Sequence, residues 1–326
     1  MTESDAGPAG RTLGGIWVAL ATPLKSDGSF DAEGCRRLVR HVLADGAHGI
    51  LALGSTGEVA ALNKATRTAV IETVAGETRG RAPFLVGVAQ TELNAAIAEI
   101  AIAAEAGAAG ALVVPPFYSP IDQATTATFY RRLAAASHLP ILVYNIPAFT
   151  KVVVAPATVA ELAADGVIAG IKDRSRDFEY FEQVLARTAD HPEFAVFTGT
   201  DTMLLASLAM GASGVIAMSA NLAPSWGVRV YDAMRDGRWD DARRAQNALI
   251  ELVLTLRAGV FPSGIKAALS LAGICGDTPA LPLSPLPPAD RERLAAGLAR
   301  LGLVQREAAA IAEHPDGTAQ PAGVPY

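Results

Sequence analysis

Cysteine is almost missing from this 326-residue chain. The two present, Cys35 and Cys275, are far apart and outside any CxxC pair, so neither a disulfide nor a thiolate zinc site is implied. Both read as small apolar packing residues. The five histidines (His41, His48, His138, His191 and His314) show no ligand spacing such as HExxH, and no metal is expected. There is no basic block and the formal net charge is −6, which gives nucleic acid no electrostatic footprint. No uninterrupted apolar run reaches the roughly 18 residues of a membrane span. The N-terminus lacks the basic and apolar regions of a signal peptide. A soluble cytoplasmic protein is expected. Lysine is also scarce, with five in all: Lys25, Lys64, Lys151, Lys172 and Lys266.

What is present is a large apolar content, 51% of residues, arranged in a repeat. Short apolar runs begin near Ile16, Gly49, Pro83, Gly110, Pro140, Val167, Phe194 and Gly214. Between them lie helix-length segments with apolar residues at i, i+3 and i+4, as over 31–45, 94–107 and 125–137. Asp31 is a candidate N-cap, with Glu33 in the first turn, and Gly46, Gly107 and Gly211 stand where helices should stop. Eight alternations at intervals of roughly 20–35 residues predict an α/β fold of the (β/α)₈ TIM-barrel type. An open doubly wound sheet would want a glycine fingerprint after the first strand, and Ala21-Thr22-Pro23 follows instead. The expected organisation is a disordered N-terminal arm over 1–13, a barrel over 14–236, a helical region over 237–303 and a tail over 304–326. Within it, 224–235 is the eighth barrel helix, while 239–257, 262–272 and 288–303 form an appendage able to cover the barrel or carry an oligomer contact.

A barrel collects its chemistry at the C-terminal ends of its strands. Lys172 is the one lysine at such a position, closing the run Val167-Ile168-Ala169-Gly170-Ile171. Apolar surroundings disfavour an ammonium, so an amine there can serve as a Schiff-base nucleophile. Read alone it could equally reach solvent, as most lysines do. Lys266 is the rival, inside an apolar helix, and nothing polar in its neighbourhood of the sequence converges on it. Gly54-Ser55-Thr56-Gly57-Glu58 is a glycine-flanked turn whose hydroxyls and N–H groups could hold a carboxylate or phosphate, or simply cap a helix. Tyr144 ends the strand before that of Lys172. Its phenol could exchange protons with an amine–carbonyl adduct, or be a satisfied core hydroxyl. Other strand ends offer Tyr118, Gly199, Asp201 and Ser219.

GSTGE at 54–58, YNIP at 144–147 and GIKD at 170–173 resemble the class I pyruvate-dependent aldolase/lyase superfamily, which includes dihydrodipicolinate synthase, N-acetylneuraminate lyase and 2-keto-3-deoxygluconate aldolase. The resemblance covers about residues 14–303. It implies that Lys172 forms an imine with pyruvate or another 2-oxo acid and that Tyr144 is the acid/base. Ser55 and Thr56, backed by Gly54, would receive the 2-oxo acid carboxylate. Ser55 would link Tyr144 to Tyr118, a tyrosine that a neighbouring subunit supplies in homotetrameric members. A homotetramer, or failing that a dimer, is the implied assembly, and no cofactor is needed. The finer assignment departs from several members. Dihydrodipicolinate synthases usually place an arginine where Phe149 stands, and neuraminate lyases have Lys-Phe-Thr where Lys172-Asp173-Arg174 stands. GIKD and PPFY (115–118) lean toward aldolases and dehydratases of keto-deoxy sugar acids. Asp201 would then take substrate hydroxyls, Gly199 and Ser219 would line the same substrate site, and Arg174 or Arg176 would bind a distal carboxylate. The expected reaction is cleavage of a 2-oxo acid to pyruvate and an aldehyde. The alternatives are a sugar-acid dehydratase or dihydrodipicolinate synthase working through the same imine, and a non-catalytic 2-oxo acid sensor.

Overall fold

Eight short apolar runs pair side by side because each is buried on both faces, the situation that favours a parallel sheet wrapped in helices. β1 (Gly15–Ala19), β2 (Gly49–Ala52), β3 (Phe84–Val88), β4 (Gly110–Val113), β5 (Ile141–Asn145), β6 (Gly170–Asp173), β7 (Ala195–Thr198) and β8 (Gly214–Ala217) are parallel, neighbours in chain order, and β8 closes on β1. This computed structural model describes residues 13–304. Apart from Leu13 and Val304, the arm expected over 1–13 and the tail expected over 304–326 lie outside the described residues. The architecture is the (β/α)₈ barrel expected from the sequence.

The helices around the barrel are α1 (Ala32–Ala44), α2 (Lys64–Thr78), α3 (Leu93–Glu105), α4 (Gln123–Ala136), α5 (Pro147–Thr150), α6 (Pro156–Ala164), α7 (Phe178–Arg187), α8 (Leu204–Ala209) and α9 (Pro224–Arg235). Local chemistry sets several of their ends. The side chains of Asp31, Asn63, Asp122 and Asp177 each accept a hydrogen bond from the N–H three residues on, satisfying a donor the helix itself cannot. After α1, α3 and α8 the chain turns through Gly46, Gly107 and Gly211 at φ +93°, +82° and +95°, as expected of a glycine stop. The short α5 has no counterpart in the sequence reading. It is a single proline-started turn, too short to show a helical period.

Two apolar cores result. Between barrel and helices lies the larger one, and inside the barrel lies a second that includes Trp17, Leu51, Leu85, Leu112, Leu142 and Phe197. Trp17 meets Phe197 edge-on at 6.0 Å, and its indole N–H donates to Gly14 O at 2.9 Å, so the barrel floor is packed and its polar atom paired. Beyond the barrel come α10 (Trp239–Leu256), α11 (Ser263–Leu271) and α12 (Pro288–Arg300). α10 packs along α9 and carries α11 and α12, so its C-terminal end overhangs the open mouth of the barrel. Among the described residues no helix is long and apolar enough to cross a membrane.

Candidate active site

Strand alternation decides which way Lys172 points. On β6, Ile171 faces the helix layer, so its neighbour Lys172 faces the barrel axis. Register pairs Lys172 with Tyr144 on β5, placing amine and phenol side by side in one layer. Lys172 Nζ donates to Tyr144 Oη at 3.4 Å and stands 4.5 Å from the ring centroid. The lysine is 3% exposed. Burial lowers its pKa from the ordinary lysine value, the Tyr144 oxygen opposes the fall, and the Arg174 guanidinium adds to it. The amine is thus available as a nucleophile at lower pH than a free lysine.

On the outer face the same strands are locked together. Asn145 Nδ2 donates to Asp173 Oδ1 at 2.7 Å, and Ser175 Oγ donates to Asp173 Oδ2 at 2.8 Å. Asn145 Oδ1 accepts from Val154 N at 3.1 Å. Asp173 is buried, which raises its pKa against the lowering by these hydrogen bonds. The pair fixes the strand ends that carry Tyr144 and Lys172. Both residues sit in the quoted motifs, yet nothing in the sequence says that they bond.

Across the mouth, Ser55 Oγ and Tyr144 Oη share a hydrogen bond at 3.2 Å, which extends the amine–phenol pair to a chain of three groups. Thr56 lines the same cavity, while Gly54 lies behind the turn rather than on the wall. The turn is held in an unusual backbone shape: Leu53 and Glu58 take left-handed φ of 57° and 58°. Lys266 corrects the sequence reading here. Polar groups do converge on it, because Lys266 Nζ donates to Glu58 Oε2 at 2.5 Å and to Thr22 O at 2.9 Å. Glu58 Oε1 accepts from Ala280 N at 2.7 Å. At 1% and 2% side-chain exposure this is a buried ion pair, and it ties the turn to α11. Burial lowers the Lys266 pKa, with Glu58 opposing the fall. Residues 208 positions apart gave the sequence no sign of it.

Gly199, Asp201 and Arg174 line the cavity. Any side chain at Gly199 would press within 3.0 Å of Lys172 Cε, Arg174 Cδ and Asp173 O, so glycine leaves room for both cationic stems. Ser219 does not line the cavity. It donates through its N–H to Asp201 Oδ1 at 2.9 Å and through its hydroxyl to the same oxygen, aiming the carboxylate. Tyr118 is not brought to the site. It is 97% exposed, with φ 79°, and no hydrogen bond joins it to Ser55 or Tyr144. The share of the appendage in the wall was missed. Arg257, at the C-terminal end of α10, and Phe261 in the following loop enter the wall from the appendage. The cavity is about 380 Å³. Among the described residues no group of three or more His, Cys, Asp or Glu could hold a metal. An enclosed amine with a phenol at hand and a hydroxyl-bearing turn opposite can form and protonate a carbonyl adduct.

The sequence model of the Dihydrodipicolinate synthetase family matches residues 12–301. The chain belongs to this family. It is a lyase of the class I, Schiff-base kind. An uncharacterized DapA-like lyase of Halobacterium salinarum is 35% identical over 93% of this chain and 99% of its own length. A 4-hydroxy-tetrahydrodipicolinate synthase of Anaeromyxobacter dehalogenans is 35% identical over 90% and 99%. Among solved structures, dihydrodipicolinate synthase of Thermotoga maritima superposes with TM-score 0.87 at 30% identity, covering 90% of this chain and all of that one. A prophage protein of the same family from E. coli K12, in complex with pyruvate, gives 0.86 at 29%, with 90% and 100% covered.

Proposed function

We propose that this family member cleaves a 4-hydroxy-2-oxo acid, of the 2-keto-3-deoxy sugar-acid type, into pyruvate and an aldehyde. The buried Lys172 amine at 3.4 Å from the Tyr144 hydroxyl carries the reading. In the proposed reaction Ser55 and Thr56 receive the 2-oxo acid carboxylate while Lys172 Nζ attacks the 2-oxo carbon. The carbinolamine loses water, with Tyr144 supplying the proton, to leave an iminium. Tyr144 next takes the 4-hydroxyl proton, and the C3–C4 bond breaks with its electron pair drawn into the iminium, which becomes an enamine. The aldehyde departs, C3 is protonated, and water returns to release pyruvate and the free amine. Asp201, aimed by Ser219, supports recognition of substrate hydroxyls, since its other oxygen is left to accept.

Tyr118 completes the proton path in this proposal only in a homotetramer, where a neighbouring copy supplies it. Its full exposure in one chain is compatible with that role. A cytoplasmic setting belongs to the same proposal, supported by two buried cysteines that are unpaired, their thiols each pushed up to about 12 by burial. The names of 35%-identical synthases favour a second reading, condensation of pyruvate with an aldehyde to a dihydrodipicolinate precursor. Phe149, where the synthases usually carry an arginine, counts against it. Incubation with 2-keto-3-deoxygluconate tests the first reading. Pyruvate and glyceraldehyde appearing in equal amounts supports it. A dehydrated oxo acid without pyruvate replaces it with the dehydratase.

A further inference from the structure

The charge balance of the cavity is uneven. Its charged lining consists of Lys172, Arg174, Arg176 and Arg257 against one carboxylate, Asp201. Among the described residues none of the three arginines forms an ion pair, although most other arginines that bond a carboxylate do so with a near neighbour in sequence or on the next helix. The three repel one another: Arg176 lowers the pKa of both Arg174 and Arg257, each after the larger effect of burial. Asp201 attracts two of them, but its Oδ1 is already occupied by both donors of Ser219. Of the three arginine charges, two therefore remain unmatched on the cavity lining. Arg174 is partly buried while Arg176 and Arg257 stay exposed to solvent, so like charges are gathered on one cavity with two of them open to an incoming anion.

Their placement is specific. Arg174 and Arg176 follow β6, and the Arg174 stem shares the space beside Gly199 with the Lys172 stem. Arg257 comes from the end of α10, where the helix dipole favours a cation but does not neutralise it. Phe149, Phe261 and Val253 add apolar lining to the same cavity. The hydroxyls of Ser55 and Thr56 lie on the β2 loop, away from the arginines in sequence and on another strand.

We infer that Arg174, Arg176 and Arg257 form a distal anion subsite, so that the substrate carries a second negative group, carboxylate or phosphate, on its aldehyde-derived end. This rests on the imine reading above. It makes the preferred aldehyde an anion and gives the C-terminal appendage a part in specificity, because Arg257 belongs to α10 rather than to the barrel.

The test compares kcat/KM for condensation of pyruvate with glyceraldehyde, glyceraldehyde 3-phosphate and succinic semialdehyde in the wild type, Arg174→Gln, Arg176→Ala and Arg257→Ala. The expected wild-type ratio of anionic to neutral aldehyde is about tenfold or more, falling about tenfold in Arg174→Gln and Arg257→Ala, as loss of a charged hydrogen bond predicts. Whichever anionic aldehyde is faster separates carboxylate from phosphate. The neutral aldehyde reports folding in each variant, since only a ratio is read. A ratio near one in the wild type, or an equal loss for all three aldehydes, overturns the subsite; the latter would mean that Arg174 acts only on the Lys172 amine. Pyruvate and borohydride on the same wild-type sample distinguish the two levels. A Lys172 adduct with a flat ratio leaves the imine reading standing and removes the subsite, whereas no adduct removes both.

Discussion

Lys172 is held where its proton is disfavoured, and that has consequences for both rate and stability. Because burial lowers its pKa below the ordinary 10.5, adduct formation with pyruvate should rise with pH and level off before 10.5. Measuring the rate of adduct formation from pH 6 to 10 checks this, and a midpoint at the free-lysine value would contradict it. For stability the sign follows from proton binding. The unfolded chain binds the lysine proton more tightly, so stability gains as pH rises from the folded pKa to 10.5 and is lost again on lowering the pH. Lys172→Met should accordingly be inactive yet more stable than the wild type at pH 7, by about 0.5–2 kcal/mol in urea unfolding, with the gap closing toward pH 10. Tyr144→Phe removes the proton carrier without changing the packing and should lower kcat about 10²–10⁴-fold. Gly199→Ala should lower activity through displacement of the Lys172 and Arg174 stems, whose atoms lie 3.0 Å from the new methyl position.

Elements differ in how much of them the sequence discloses. Strands and long helices were readable because their signal is local: the runs ending at Tyr144 and Lys172 are apolar and short, and α1 announces itself with Asp31 and Gly46. The single turn of α5 carries no periodicity to read. What stayed hidden depends on contacts between distant elements. The Glu58–Lys266 pair joins the β2 loop to α11 across 208 positions of sequence, and Arg257 reaches the mouth only because α10 runs back along α9. Lys266→Met should cost about 3–5 kcal/mol, since it leaves the Glu58 carboxylate buried without its partner. The double variant Glu58→Gln with Lys266→Met should recover most of that loss in urea unfolding. If the double variant is no better than the single one, the penalty is not an unpaired charge. The same double variant is expected to remain slow, because the turn presenting Ser55 and Thr56 loses its tie to α11.

For the whole molecule the question is whether one chain is sufficient. Tyr118 stands at 97% exposure on the β4 loop, and exposed apolar side chains such as Val260 and Leu281 lie on the appendage. The proposal expects a homotetramer by light scattering, with Tyr118→Phe keeping the mass but lowering kcat about tenfold or more. A monomer with full activity would remove Tyr118 from the reaction. The barrel order, the placement of Lys172 beside Tyr144 and the family all agreed with the sequence, whereas Arg257 and Phe261 enter the cavity from the appendage, which the sequence offered as a cover for the barrel or an oligomer contact without marking a site residue in it. The most direct measurement is reductive trapping: incubate the protein with pyruvate and borohydride, digest it and locate the modified peptide by mass spectrometry. A reduced pyruvyl group on Lys172, absent from Lys172→Ala, is the predicted result. No adduct with pyruvate or with longer 2-oxo acids, or an adduct on Lys266 instead, would contradict the account.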